Sequence, residues 1–121
     1  MITNKLVIAE TRLLTLSGQR ARSPQSARKL DELLESIDTD IVELTGDHFA
    51  DWGAEAMYYT LDLYDQRGWP YYGGGVNFKE GRKPVVIEHN GNKLAFIGCN
   101  AKGGGFATAS ESGPGAVYCD W

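Results

Sequence analysis

The sequence predicts an α/β protein: a layered mixed sheet in β-α-β-α-β order, followed by an antiparallel hairpin. Three observations carry this expectation. Two stretches repeat apolar residues at helical spacing, short β-branched runs alternate with them, and Asn90-Gly91 separates two apolar runs later in the chain.

The elements follow in order. Lys5-Leu6-Val7-Ile8-Ala9-Glu10 reads as a short buried strand ending on a carboxylate. Residues 16–22 have no apolar period and read as loop. Ser23 is a candidate N-cap, Pro24 suits the first helical position, and Ala27, Leu30, Leu33, Leu34 and Ile37 form one stripe, which predicts a first helix. Asp38-Thr39-Asp40 ends it, and Ile41-Val42-Glu43-Leu44-Thr45 is the next strand, running into Gly46-Asp47-His48. A second helix is expected from about Trp52 to Arg67, with Ala54, Met57, Tyr58, Leu61 and Tyr64 on one face. Gly68 is placed to close it, and Trp69-Pro70 prevents continuation. Pro70-Tyr71-Tyr72 is a brief strand before Gly73-Gly74-Gly75. Pro84–His89 and Lys93–Gly98 flank Asn90-Gly91, a strong hairpin signal because both turn residues tolerate positive φ. Residues 101–121 are rich in glycine and serine with almost no period, so they read as a loop or tail: either a functional loop, or a lead to an element beyond it.

Composition bounds the function. The 121 residues, 42% apolar and 23% charged, suit a single domain and exclude collagen-like, coiled-coil and disulfide-framework classes. Sixteen acidic against 12 basic residues give a net charge of −4, without any Lys/Arg run, which argues against a nucleic-acid partner. No apolar stretch reaches the roughly 18–20 residues of a membrane span, and the first five residues do not begin a signal peptide, so a soluble chain is expected. Cys99 and Cys119 lie outside any CxxC motif and can either pair or stay free.

The densest chemistry is Thr45-Gly46-Asp47-His48-Phe49-Ala50-Asp51-Trp52-Gly53. Asp47, His48 and Asp51 stand at the carboxyl end of a strand and the start of a helix, the edge where open α/β sheets bind ligands. Carboxylate oxygen and imidazole nitrogen suit a divalent cation or proton transfer. The plainer alternative has Asp51 capping the second helix and His48 bonded to a backbone carbonyl. Glu10, at the end of the first strand, lies beside this turn if the first two strands are parallel neighbours; otherwise it is a solvated strand-end charge. His89 reads as a surface histidine beside the hairpin turn. Gly73-Gly74-Gly75-Val76-Asn77 and Lys102-Gly103-Gly104-Gly105 lack the spacing of a nucleotide loop, and no nucleophile elbow or thiol–histidine pair is present. Trp52, Tyr58, Tyr59, Trp69, Tyr71 and Tyr72 line either a sugar-binding face or the core.

These stretches resemble the bacterial capsule-synthesis or poly-gamma-glutamate-synthesis proteins of the calcineurin-like metallophosphatase superfamily. The resemblance rests on Leu6–Leu13, with its glutamate after a strand, and on Gly46–Gly53, similar to the family's Asn-Asn-His-x-x-Asp-x-Gly. Gly73–Asn77, the Pro84–Asn100 hairpin and Gly113–Val117 extend it over nearly the whole chain. The resemblance implies a partial metallophosphatase-like sandwich. It implies metal ligands at Glu10 and Asp47, His48 protonating a leaving group or holding phosphate, and Asp51 supporting the turn and orienting His48. Gly74 and Asn77 are the implied substrate contacts. The implied cofactor is a divalent ion of the Mn, Zn or Fe type, the partner an anionic or polymeric substrate, and the setting the bacterial cell envelope. Asp47 stands where the family has Asn, which adds a negative charge to the site. The family's Gly-Asp strand and later His-rich motifs are absent from these 121 residues, so either an internal piece of the fold, inactive alone, or a natural short paralogue is expected. Exposed sheet edges then favour homo-oligomers. A non-catalytic module that holds an anionic or sugar polymer is the competing expectation.

Overall fold

The computed structural model describes residues 6, 8–10, 32, 35–46, 48–105 and 107–120; of residues 9 and 10 it describes the backbone. Most of the helix expected over 23–37 lies outside these residues, although Glu32, Glu35 and Ser36 are helical.

A parallel sheet organises the molecule, in the order β1 (Ile8–Glu10), β2 (Ile41–Glu43), β3 (Tyr71–Tyr72). Ile41 and Val42 of the central strand, and Leu44 just beyond it, are fully buried. The register of that strand sets Ile8 opposite Ile41, Glu10 opposite Glu43, and Glu43 opposite Tyr72. Backbone bonds from the Val42 N–H to the Pro70 carbonyl and from the Leu44 N–H to the Tyr72 carbonyl, both 2.9 Å, extend the ladder past the strand ends.

Helix α1 (Ala54–Arg67) crosses from β2 to β3 and buries Ala56, Met57, Thr60, Leu61 and Tyr64. The expected stripe is thus rotated: Ala54 and Tyr58 face solvent, while Ala56 and Thr60 turn inward. Thr60 is tolerated there because its hydroxyl donates to the Ala56 carbonyl at 2.8 Å. The helix ends as expected at Gly68, which adopts the left-handed conformation at φ +69°. Its N–H donates to the Asp65 carbonyl and the Trp69 N–H to the Tyr64 carbonyl, the two bonds of a Schellman motif. The Tyr64 and Trp69 rings meet across that motif at 6.1 Å, and Tyr71 joins Tyr64 at 5.9 Å. Tyr64, Trp69 and Tyr71 are therefore core packing, whereas Trp52, Tyr58 and Tyr59 remain exposed.

Among the described residues, the single mixed sheet of the sequence reading is instead three small sheets. After β3, Gly73 takes φ +81° and redirects the chain into β4 (Gly74–Gly75). Strand β4 pairs antiparallel with β7 (Gly115–Ala116), and the short helix α2 (Phe78–Gly81) packs beside them. The hairpin β5 (Val85–His89) and β6 (Asn92–Phe96) forms as expected, with Asn90 and Gly91 at φ +51° and +78°. It makes a two-stranded sheet of its own rather than joining the parallel one. The Phe96 ring, 5.5 Å from Tyr72, ties it to the end of β3.

The glycine-rich stretch from Ala101 is no loose tail. It contains β7, bridges joining Asn100 to Tyr118 and Thr108 to Ala116, and half of the Cys99–Cys119 disulfide. These ties run through backbone groups and small residues, which leave no trace in side-chain periodicity. Gly115 shows why: a Cβ there would lie 2.5 Å from the Ala109 nitrogen.

Candidate functional site

Because β1, β2 and β3 are parallel, their carboxyl ends share one edge, where Glu10, Glu43 and Tyr72 stand in register. Beyond Glu43 the chain stays pinned: Leu44 is buried, and the Thr45 hydroxyl donates to the Glu43 carboxylate. Two tight turns follow, closed by the Asp51 N–H on the His48 carbonyl at 3.3 Å and the Gly53 N–H on the Ala50 carbonyl at 3.0 Å. Phe49 and Ala50 are buried in the core. With its middle plugged inward, the turn sends both flanking polar side chains outward. His48 Nδ1 and Asp51 Oδ2 meet there at 2.8 Å, both side chains more than a third exposed.

The cap position settles one half of the alternative left by the sequence. Asp51 does not cap α1; the cap position belongs to Gly53 at φ +86°, with no side-chain cap bond. The His48 Nδ1 is engaged by a carboxylate, which fixes the proton on Nδ1 of the neutral ring and the basic lone pair on Nε2.

The other candidate residues fall as follows. The Glu10 backbone ends β1 beside Glu43, on the same edge as the turn, while its side chain and all of Asp47 lie outside the described residues. Gly74 is buried where the chain passes close to Leu44 and Gly115; an added Cβ would lie 2.8 Å from the Gly115 carbonyl oxygen. The Asn77 side chain accepts the Glu80 N–H at 2.8 Å and caps α2.

Two residues at this edge escaped the sequence reading. Glu43 accepts the Thr45 hydroxyl and, after burial, is the second cause that pushes the Tyr72 phenol above its usual range. Asn100 donates from Nδ2 to the Thr45 carbonyl at 2.6 Å, across 55 residues of sequence. Its Oδ1 accepts the N–H groups of Lys102 and Gly103, and its backbone pairs with Val117 and Cys119. Glu43 had a visible signal, a carboxylate within an otherwise apolar strand. Asn100 had none, since its partner is fixed only by the folded chain.

Chemically, an imidazole anchored through Nδ1 on a carboxylate suits proton exchange at Nε2, and the same anchoring supports histidine beside metal ions. Among the described residues, no three His, Cys, Asp or Glu side chains converge as a metal-binding group would require. The His48–Asp51 pair is the imidazole–carboxylate contact that the described residues supply, and the Glu10 and Asp47 carboxylates lie outside them.

No curated protein matches the chain closely enough to report. A family model for the bacterial capsule synthesis proteins matches residues 11–117. Spanning both sides of the His48–Asp51 turn and nearly the full sequence, that match shows that the chain belongs to the bacterial capsule synthesis protein family.

Proposed function

We propose that this chain supplies the acid–imidazole part of a metal-dependent phosphoesterase-like site serving capsule or poly-gamma-glutamate synthesis. The supporting observation is the 2.8 Å His48–Asp51 pair at the carboxyl edge of a parallel sheet. Asp51 holds the ring and its tautomer. His48 then protonates a leaving-group oxygen, or holds a phosphate, through Nε2. Glu10 and Asp47 are the carboxylates that would hold a divalent ion of the Mn, Zn or Fe type. Bound there, the ion supplies an activated water and a clamp on phosphoester oxygens. Two carboxylates, Glu10 and Asp47, with His48 beside them are fewer groups than a bimetallic centre uses, so weak metal affinity and little turnover by the chain alone are part of the reading. The Cys99–Cys119 disulfide favours an oxidising setting such as the cell envelope.

The test is a thermal-shift titration with Mn²⁺ or Zn²⁺, beside hydrolysis of an aryl phosphate. The wild type should gain melting temperature with metal and Asp47→Ala should not, while Asp51→Asn should keep the metal response and lower the hydrolysis there is by about tenfold or more. A wild type indifferent to both metals overturns the proposal. A second reading, a polymer-binding module, is favoured by the exposed Trp52, Tyr58 and Tyr59. Tyr58 and Tyr59 border a cavity of about 440 Å³ with Asp62 and Asp65, aromatic faces beside carboxylates that suit sugar hydroxyls. Quenching of tryptophan fluorescence by a soluble polysaccharide, lost in Tyr58→Ala and indifferent to metal, would support that second reading.

A further inference from the structure

A separate cavity of about 420 Å³ opens between α2, the end of β6 and the C-terminal segment, beside the Cys99–Cys119 disulfide. Its size lies within the roughly 300–1,000 Å³ of small-ligand pockets. Its apolar wall is formed by Phe78, Ile97, Val117 and Tyr118. Ile97 is 68% exposed and Tyr118 44%, so two large apolar side chains stay open to the space rather than closing it.

Charge of both signs stands at its margins. Arg82 lines it with its guanidinium stacked 5.1 Å over the Phe78 ring, which restrains a long side chain. The nearest acid along the chain, Glu80, is engaged in both oxygens by Lys83 at 2.9 Å. Asp120 lines the same cavity. Among the described residues neither Arg82 nor Asp120 has an ion-pair partner, and they do not pair with each other. A restrained cation and an anion thus border one apolar space without neutralising one another.

The structure assigns this cavity to a zwitterionic α-amino acid with an apolar side chain. Its α-carboxylate pairs with the Arg82 fork, its α-ammonium pairs with Asp120, and its side chain covers Ile97, Val117 and Tyr118. A simple anion would leave Asp120 facing like charge, and a simple cation would do the same to Arg82. A second carboxylate on the ligand would meet the apolar wall without a partner, at a desolvation cost.

Leucine is the probe, titrated into the protein while the Ile97 methyl and Tyr118 ring resonances are followed by NMR. A saturable shift is expected, with a Kd of about 1 mM. Isocaproate, which lacks the ammonium, and isopentylamine, which lacks the carboxylate, should each bind at least about tenfold more weakly, as should glutamate. Arg82→Gln and Asp120→Asn should each cost leucine a similar factor while leaving the circular dichroism spectrum unchanged. No saturable shift with leucine overturns the assignment. So does isocaproate binding as tightly as leucine with Asp120→Asn without effect, which would make this a plain anion site, or glutamate binding more tightly than leucine.

Discussion

His48, Asp51 and Gly53 show how three positions in six residues do separate physical jobs. The three-residue spacing brings the imidazole and carboxylate to 2.8 Å, and Gly53, at φ +86°, lets the chain leave that turn and start α1. The His-x-x-Asp-x-Gly pattern is therefore an imidazole–carboxylate contact followed by its backbone exit. Space around Gly53 is open, so a side chain there meets no clash and only the left-handed backbone resists it. Gly53→Ala should lower stability by about 1 kcal/mol in urea unfolding; an unchanged midpoint would show the turn has another way out. Tyr71 gives a second residue-scale prediction. Burial, then the charge and hydrogen bond of Asp65, push its phenol from its ordinary value near 10 up to about 12, and the Tyr72 phenol is raised by burial and Glu43. The folded state thus holds the Tyr71 proton longer than the unfolded one. The stabilisation is whole below pH 10 and is lost as the pH rises from there through about 12. Phenolate absorbance should show a late step that Tyr71→Phe removes, and the same substitution should flatten the fall in stability across that window.

At the scale of elements, legibility followed the locality of the cause. Helix α1 was readable because its stripe and its Gly68 terminus are written within a few residues, and the β5–β6 turn because Asn90-Gly91 alone specifies it. The inward rotation of Thr60 was not readable, since a hydroxyl satisfied by the preceding turn behaves as an apolar group. The C-terminal segment was the least legible. Its pairing with β4 depends on glycines that allow close backbone approach, and its clamp on the Thr45 turn depends on Asn100, 55 residues away. The same locality divides the site: the His48–Asp51 pair lies in one turn and was visible, whereas Asn100 was not. The Cys99–Cys119 disulfide holds this segment, closing a loop with a separation of 20 residues. Replacing both cysteines with serine should cost about 3 kcal/mol. Since Asn100 follows Cys99 directly, the loss should also reach the turn. Amide resonances of Thr45 and Gly46 should shift in the serine variant and in Asn100→Ala alike. Shifts confined to the segment itself would show that the clamp holds without the disulfide.

On the scale of the whole molecule, the hairpin is the element least supported by the rest. Strands β5 and β6 pair only with each other among the described residues, so each offers a second edge of N–H and C=O groups. Val86 at 53% exposure adds an apolar side chain to the outer face, and the ring contact of Phe96 with Tyr72 anchors the inner one. Natural sheets protect such edges with charge, proline or cover. Here Glu88 and Lys93 stand opposite one another and offset each other's charge, which leaves little net repulsion along the hairpin. Antiparallel pairing of two hairpins would satisfy one edge on each copy and cover Val86 and its neighbours, a self-complementary contact that closes as a dimer. Sedimentation velocity should therefore show dimers that grow with protein concentration. Val86→Lys should move that equilibrium towards monomer, because an uncompensated charge on each copy meets its like across the new interface. A single monomeric boundary at every concentration would mean that the hairpin edges are covered in some other way, and edge pairing would have to be given up.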